Sequence, residues 1–596
     1  MFNVRSPFRR SRKDYAMTQG HIYPNKRLAL LSIFILVFVG CLTFLPALNN
    51  GFVWDDEDNL VKNTHFRGLT GSHLAWMFRT FHDANYHPLS WVSFGIDYLF
   101  WSLDPFGYHL TNLVLHLINV LVCYLLMLNL LHVATGRDDG APETRFLGAL
   151  WGALFFAVHP LRVETVAWLS TRGDLMCAGF YMATVIAYMK QSQAESPNLR
   201  RWWYFSSLIF FGLSLLSRAW GVTLPVILLI LDGYPLRRLG GPMTFSRVLR
   251  LLIEKIPYIL MAAAGAVLAI LAKTSSMRQL AEHGMIERIL QSFYGLLFYP
   301  IKTVLPIRLS PLYLLEDSIS PFVWPYGFSV GVVIVVTIVL VVKARQWPWA
   351  LAAWFTYAII VSPLLGIVQS GPQMTADRYT YLSGLPFTAL LAGAVCRWSA
   401  DIANRGMGRW RNVLQMMVLW SVIAVLSVSS IYQIRIWRNS LTLWTHTIRL
   451  DPDNPVALWN RGLFWDRIGD RRRAMADYSG VIRLTPENDQ AYTNRGNIHQ
   501  LERNWKAARE DFDRAIELNR ESPEAYASRG VLNMLEHRTD DAIADLNRAL
   551  DHAPKNWQGR EKAEVLLNQL LTGGAEPTDH RDAQPPDFRR KSRYGS

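Results

Sequence analysis

Cysteine is scarce. Four occur in 596 residues, Cys41, Cys123, Cys177 and Cys396, all within apolar runs. None has zinc-ligand spacing, and their scatter gives no disulfide framework. The first apolar run, 28–48, lacks a small-residue cleavage site of the A-x-A type, so it reads as a retained span and not a removed signal peptide. Charge is also missing from the middles of the apolar runs and collects at their ends, as at Asp232 and Lys273. Transport paths usually need ionisable groups deep in the spans, which makes a transporter or flippase the weaker class.

What the chain has instead is apolar length. It is 51% hydrophobic with a net charge of +14, and the average hides a split: residues up to 433 form long apolar runs, and the rest is polar. Runs of roughly 18 or more apolar residues suffice to cross a bilayer. The sequence predicts about eleven spans, near 28–48, 107–131, 146–161, 174–190, 202–217, 219–232, 256–272, 326–342, 348–367, 381–397 and 413–432. Alternate connections are basic, beginning with a tail over 1–27 that holds Arg5, Arg9, Arg10, Arg12 and Lys13. The positive-inside rule makes those connections cytoplasmic, so the basic balance reports topology and not nucleic-acid binding. The other set is then exofacial: the loop 49–106, the segment 159–174, the stretch 273–325 and "GPQMTADRYTYL". The loop 49–106 holds "HLAWMFRTF" and "PLSWVSFGIDYLFW", aromatic-rich and too short to span, which read as interfacial helices. The stretch near 285–306 reads as a second interfacial or half-buried element.

The polar part repeats. Arg461-Gly462, Arg495-Gly496 and Arg529-Gly530 recur every 34 residues, as do Ala474, Ala508 and Ala542, and Asp477, Asp511 and Asp545. This is the period of tetratricopeptide helix pairs. Units are expected at 454–486, 487–520 and 521–554, with a partial unit before, a capping helix after, and disorder over 572–596. A solenoid of this kind is a binding scaffold.

Three constellations carry candidate chemistry. "NNGFVWDDEDNLVKN" places Asp55, Asp56, Glu57 and Asp58 just beyond the first span. They are either a solvated helix end or a functional cluster. Within it "DED" fits D-x-D, a pattern that can hold a divalent cation through oxygen ligands, although no certain metal site or cofactor follows from three residues. A glycosyl donor on the exofacial side is more plausibly carried on a lipid phosphate than on a nucleotide. Such transfer needs a carboxylate base, for which Asp55 or Asp56 is the candidate. It also needs cations for the departing phosphate, for which Arg162, Arg172, Arg218 and Arg378 are candidates. In "FFAVHPLRVETVAWLSTRGDLMCAGF", His159, Glu164, Arg172 and Asp174 either close a helical hairpin as a hydrogen-bonded network or bind substrate.

Read in order, "FVWDDEDNLV", "YHPLSWVSFGIDYLFWSLDPFGYHLTNLVLHLINVLVCYLL", "FFAVHPLRVETVAWLSTRGDLMCAGF", "LLSRAWGVTLPVILLILD" and "ADRYTYL", followed by the repeats, resemble the transmembrane and tetratricopeptide-repeat O-mannosyltransferase family, and more closely its bacterial relatives. The resemblance covers roughly 27 to 570. It implies an all-α C-type glycosyltransferase fold, a polytopic domain over 28–433 joined to a repeat domain over 434–571. It implies a polyprenyl- or dolichyl-phosphate sugar as donor, with mannose as the family's sugar. It also implies an acceptor protein or glycan engaged by the repeats. The family's paired acidic motif falls on Asp55 and Asp56, with Asp55 the presumed base. Eukaryotic members carry longer repeat arrays, and this chain has no N-x-S/T sequon, which leans toward a multi-pass protein of the bacterial inner membrane with periplasmic repeats. The competing expectation is a membrane-anchored repeat scaffold without catalysis.

Overall fold

The computed structural model describes residues 26–135, 142–238, 245–274, 284–316, 318–367, 371–404, 409–554 and 557–572. The expected basic tail before Lys26 and the tail expected to be disordered, from residue 573 on, lie outside the described residues.

Among the described residues the fold is all-α apart from one two-stranded ladder. The membrane part runs through α1 (Lys26–Phe44), α2 (Gly71–Arg79), α3 (Pro88–Trp101), α4 (Pro105–Thr135), α5 (Pro142–Val158), α6 (Val163–Ala167), α7 (Arg172–Gln193), α8 (Pro197–Ser217) and α9 (Leu224–Gly233). It continues through α10 (Phe245–Lys273), α11 (Met285–Val304), α12 (Tyr326–Val342), α13 (Pro348–Val361), α14 (Thr380–Ser383), α15 (Leu385–Asn404) and α16 (Arg409–Ile436). The strands β1 (Tyr313–Leu314) and β2 (Gln373–Thr375) pair antiparallel. The repeats follow as α17 (Ser440–Leu450), α18 (Pro455–Arg467), α19 (Arg471–Leu484), α20 (Asp489–Leu501), α21 (Trp505–Leu518), α22 (Pro523–Leu535), α23 (Thr539–His552) and α24 (Arg560–Leu571).

The expected spans divide into kinds. Among the described residues, Lys26–Asn49, Pro105–Thr135, Val248–Lys273 and Trp410–Ile436 are each long and apolar enough to cross alone. Two more are bent pairs, Pro142–Val158 with Pro160–Ala167 (58°) and Asp377–Ser383 with Leu385–Ala403 (56°). Ala219–Gly233, Tyr326–Val342 and Pro348–Leu364 have no more than 17 residues, which at 1.5 Å per residue reach roughly 25 Å, short of a hydrocarbon core of about 30 Å. The remaining two, 174–190 and 202–217, lie in α7 and α8. A hydropathy window registers apolar content and misses the breaks, which is why the expected count of eleven exceeds the helices that cross unaided. The chain is a multi-pass membrane protein.

The segment 49–106 carries two short helices, α2 and α3. The C-terminal end of α3 leaves Leu99, Phe100 and Trp101 exposed while Trp91 and Phe94 are buried. α11 is amphipathic in the same sense: Met285, Ile286, Ile289 and Val304 face outward, and Arg288, Gln291, Gly295 and Phe298 are buried.

The bundle core is close-packed through small residues. A Cβ on Gly148 of α5 would stand 2.5 Å from the Ala392 carbonyl oxygen of α15, and one on Gly152 would stand 2.9 Å from the Ala392 Cβ. This is the small-xxx-small approach by which membrane helices gain contact without a hydrophobic drive.

The repeat period has a physical basis in one ion pair. Arg461 grips Asp477 with Nε and Nη2 at 2.8 and 2.7 Å, Arg495 grips Asp511 at 2.9 and 2.7 Å, and Arg529 grips Asp545 at 2.8 and 2.8 Å. Each bidentate pair joins the two helices of one unit. The same 34-residue step places caps at Asn454, Asn488 and Ser522, each accepting the backbone N–H three residues on. The first repeat helix is fastened to the membrane part by an aromatic column. Trp54 stacks on Trp168 (4.8 Å, 6°), Trp168 stacks on Trp437 (5.6 Å, 24°), and Trp444 meets Trp54 edge-on (5.0 Å, 72°).

Gly148→Val forces a side chain against the backbone of α15. The expected cost is about 1–3 kcal/mol, read as a lower thermal-unfolding midpoint of the detergent-solubilised chain; a midpoint equal to wild type would refute the close approach of α5 and α15.

Candidate active site

The four acids do not act as a unit. Trp54 adopts a left-handed backbone (φ 54°), uncommon for a bulky residue, and the carboxylates after it go to different partners. Asp56 is fully buried. Its Oδ2 accepts the Val53 N–H at 3.1 Å, and its Oδ1 accepts the Ser170 N–H at 2.8 Å and the Ser170 hydroxyl at 2.7 Å. Burial pushes Asp56 up to about 6, against the lowering effect of those bonds. Asp58 pairs with Lys62 at 3.0 Å and Glu57 with Arg467 of α18 at 2.8 Å. The D-x-D pair of Asp56 and Asp58 is therefore divided between different partners, and among the described residues no three His, Cys, Asp or Glu side chains cluster as metal ligands.

Asp55 is left on the wall of a cavity of about 600 Å³. The opposite walls come from the two bent segments. Broken helices in a membrane free backbone groups that must find partners inside the protein, and here the two breaks satisfy each other. Arg162 donates to the carbonyl and, at 3.1 Å, the hydroxyl of Thr380. Glu164 accepts the Arg378 N–H at 2.8 Å and pairs with its guanidinium. That guanidinium lies over the Trp168 ring at 5.3 Å.

The cavity has three chemical zones. Asp55 and Asp83 form an acidic one. Burial, then the neighbouring carboxylates of Asp83, Asp56 and Asp58, hold Asp55 well above the usual carboxylate range, with Arg378 pulling the other way. Asp83 is raised to about 6 by burial, opposed by a hydrogen bond from Asn59 and by Arg218. Asp83 and Ala84 are also left-handed (φ 54° and 51°), so three strained residues border this zone. Arg218, Arg378 and Lys273 form a cationic zone, close enough together to act on one another electrostatically. Arg218 holds Asp174 through Nε at 3.2 Å. The third zone is an apolar trough between α8 and α10, walled by Leu215, Leu216, Met261, Ala264, Gly265 and Leu268.

Of the residues singled out in the sequence, Asp55, Arg218 and Arg378 line the cavity, with Asp174 and Glu164 buried behind the two arginines. Asp56 lies behind Asp55 as the anchor to Ser170. His159 and Arg172 do not line it. His159 accepts the Leu161 N–H at 3.2 Å and meets the Thr303 carbonyl at 3.0 Å, bracing the break. Arg172 is fully buried: it pairs with Asp97, donates to Asn112 at 2.8 Å, Ser93 at 3.1 Å and the Tyr108 carbonyl at 2.9 Å, and lies over Phe94 at 4.2 Å. Arg162 likewise does not line the cavity. For His159 and Arg172 the hairpin-closing alternative describes the contacts, and Arg162, a candidate for the phosphate, is instead bound to Thr380. Lining residues not singled out in the sequence include Asn59, Asp83, His87 and Trp168. The aromatic-rich loop around "HDANYHP" was the available signal for Asp83 and His87.

No protein-family model matches the chain. Curated relatives do. Protein O-mannosyl-transferase TMTC4 of Homo sapiens is 30% identical over 222 residues, 34% of this chain and 29% of that protein. Protein O-mannosyl-transferase F38B6.6 of Caenorhabditis elegans is 24% identical over 478 residues, 76% of this chain and 62% of that protein. This chain is a sequence relative of the transmembrane and tetratricopeptide-repeat O-mannosyltransferases. It spans about a quarter to three fifths of the relatives' own length. Among solved structures, ArnT from Cupriavidus metallidurans bound to undecaprenyl phosphate aligns with 76% of this chain and 76% of its own at 14% identity and a TM-score of 0.32. The Arabidopsis OM64 tetratricopeptide domain aligns with 20% of this chain and 94% of its own at 23% identity and a TM-score of 0.19.

The two adjacent aspartates of this O-mannosyltransferase relative differ in what they hold. Asp56→Asn replaces an acceptor of three bonds with a group that turns donors toward donors, and is expected to cost about 1–3 kcal/mol. Asp55→Asn, on the cavity wall, removes a carboxylate that its neighbours repel, and is expected to leave stability equal to wild type or above it. Thermal unfolding of both variants checks this; equal destabilisation would refute the division of roles.

Proposed function

We propose that the chain is a glycosyltransferase that moves a sugar, mannose by kinship, from a polyprenyl-phosphate carrier to a hydroxyl of a protein or glycan acceptor on the exofacial side of a bacterial inner membrane, the repeats receiving the acceptor. The observation that carries this reading is the juxtaposition in one cavity of a carboxylate with raised proton affinity, a cluster of cations and an apolar trough. A polyprenyl tail suits the trough between α8 and α10, and its phosphate suits Arg218, Arg378 and Lys273. The sugar carbon attached to that phosphate then falls toward Asp55.

Asp55 takes the proton from the acceptor hydroxyl as the oxygen bonds to the anomeric carbon. The bond from that carbon to the phosphate oxygen breaks, and its electron pair leaves with the phosphate. Positive charge builds on the sugar in an oxocarbenium-like transition state. The arginines offset the negative charge on the leaving group with planar donors already held by Asp174 and Glu164, so little reorganisation is required. Asp56, through Ser170, positions Asp55 and does not touch substrate. The kinship with O-mannosyltransferases supports this reading over a non-catalytic scaffold, as does an acid that shares one cavity with a cluster of cations, which a scaffold has no use for.

Asp55→Asn is expected to reduce sugar transfer from a radiolabelled polyprenyl-phosphate sugar by about 10²–10⁴-fold; wild-type transfer by that variant sinks the assignment of the base. The pH profile offers a second check. A base acts deprotonated, so activity falls as pH drops through the raised pKa of Asp55, placing the acid limb above the ordinary carboxylate range. Asp83→Asn removes a neighbouring negative charge, lowers the Asp55 pKa, and is expected to move that limb to lower pH; an unmoved limb contradicts the coupling.

A further inference from the structure

We infer that the turn between α18 and α19 is a docking point for an anionic lipid surface, holding the repeat domain down on the bilayer beside the loop that bears Asp55. The inference does not depend on the transfer chemistry above. It requires only that the chain spans a membrane.

The last span fixes where the turn lies. Trp410–Ile436 has 27 residues, roughly 40 Å of helix against a hydrocarbon core of about 30 Å, so its ends reach the headgroups. Tyr432, 56% exposed, and the exposed Arg435 and Arg438 give its C-terminal end the aromatic and cationic character of that zone. The loop after the first span touches both this end and the turn. The Gly51 N–H donates to the Arg438 carbonyl at 3.0 Å, and Glu57 pairs with Arg467 at 2.8 Å. Six residues of chain lead from Gly51 to Glu57, at most about 20 Å, so the turn sits beside the end of the span.

The turn carries Arg467, Ile468, Arg471, Arg472 and Arg473. Ile468 is 58% exposed. Arg473 pairs with Asp470 at 3.5 Å and lies over the Trp465 ring at 4.6 Å. With Arg467 taken by Glu57, Arg471 and Arg472 are left as cations with no ion pair among the described residues. Three arginines open α19, at the end of a helix where the dipole disfavours cations. The ordinary arrangement is seen in α23, whose first turn holds Asp540 and Asp541.

The repeat period allows the three turns to be compared position by position. Ile468 corresponds to Glu502 and Glu536, Arg472 to Lys506 and Asp540, and Arg473 to Ala507 and Asp541. The unit fastened to the membrane part thus presents an apolar residue among cations, the middle unit a mixture, and the farthest unit acids. A charge that reverses along the array matches an anionic surface met by the first turn: Ile468 enters among the headgroups, and Arg471 and Arg472 meet their phosphates. An acidic protein lying along the array would instead favour cations in all three turns.

The test places a photoreactive benzoylphenylalanine at position 468, and in a second protein at position 536, of the full-length chain. Each is reconstituted into phosphatidylcholine vesicles with and without phosphatidylglycerol, irradiated, and its adducts read by mass spectrometry. Position 468 is expected to give lipid adducts, about fivefold more or better with phosphatidylglycerol, since one arginine near an anionic surface contributes about that factor. Position 536 is expected to give none above background. Arg471→Gln/Arg472→Gln in the 468 protein is expected to erase the gain from phosphatidylglycerol. None of these side chains is buried, so the fold survives each change. Absence of lipid adducts at 468, equal yields at 468 and 536, or a yield indifferent to phosphatidylglycerol overturns the docking. Adducts to protein in place of lipid overturn it too, and reassign the turn to a protein partner.

Discussion

The structure around the cavity depends on satisfying one buried carboxylate. Asp56 has no exposure to solvent, and a charged group in that position is costly unless it is hydrogen-bonded. Its partners come from two places far apart in sequence: Val53, in its own loop, and Ser170, between the two segments that follow the first helix break. Meeting that need joins the end of the first span to the segment 159–174. The joint has geometric consequences. It holds Trp54 in a left-handed conformation, brings its ring onto Trp168, and leaves Asp55 with no place except the cavity wall. Ser170 and Asn59 pass the constraint on to Asp83. The acid on the wall and the acid behind it are thus adjacent in sequence and different in office.

The same logic of compensation runs through the two bent segments. Each break exposes backbone that a continuous helix would have satisfied. Arg162 with Thr380, and Glu164 with Arg378, make the breaks partners of each other. An ion pair buried in this way contributes little net stability, but it fixes orientation. Arg378 spends its backbone N–H and one amino group on Glu164, and the remaining face of its guanidinium spans Trp168 and the cavity. The aromatic column then carries the geometry outward, since Trp444 of the first repeat helix packs on Trp54 and Arg467 pairs with Glu57. The repeat domain is therefore mounted on the loop that bears the candidate base.

Legibility in the sequence followed the range of the interactions involved. The repeats were plain because the Arg461–Asp477 contact recurs at a fixed local step, so Arg495, Asp511, Arg529 and Asp545 repeat it in register. Their caps at Asn454, Asn488 and Ser522 obey the same period, with serine replacing asparagine in the third unit. The spans were less plain, since a break at His159 or Gly384 leaves apolar content almost unchanged. Asp55 could be singled out from its position after a span. Asp83 and His87 carry no signal beyond the aromatic-rich loop around them, and their meeting with Asp55 depends on packing across several helices. Arg172 and His159 attracted attention for the reason that makes them structural: a polar side chain near the membrane needs partners, and theirs are Asp97, Asn112 and the Thr303 carbonyl.

The cavity also discriminates between an enzyme and a scaffold on physical grounds. A scaffold gains nothing by keeping Asp55 with a raised proton affinity beside Asp83, since two half-buried carboxylates repel each other and destabilise the loop that holds them. Nor does it gain from left-handed backbone at Trp54, Asp83 and Ala84, each a local cost of order 1 kcal/mol or more. Arginines held from behind by Asp174 and Glu164, with their outer faces toward a cavity, are likewise arranged for an anion that arrives and leaves. Strain, repulsion and preorganised charge gathered within one space of about 600 Å³ make sense together if a reacting group occupies it. The proposed transfer would draw on all three zones at once: the trough for a lipid tail, the cations for its phosphate, and the acids for the incoming hydroxyl.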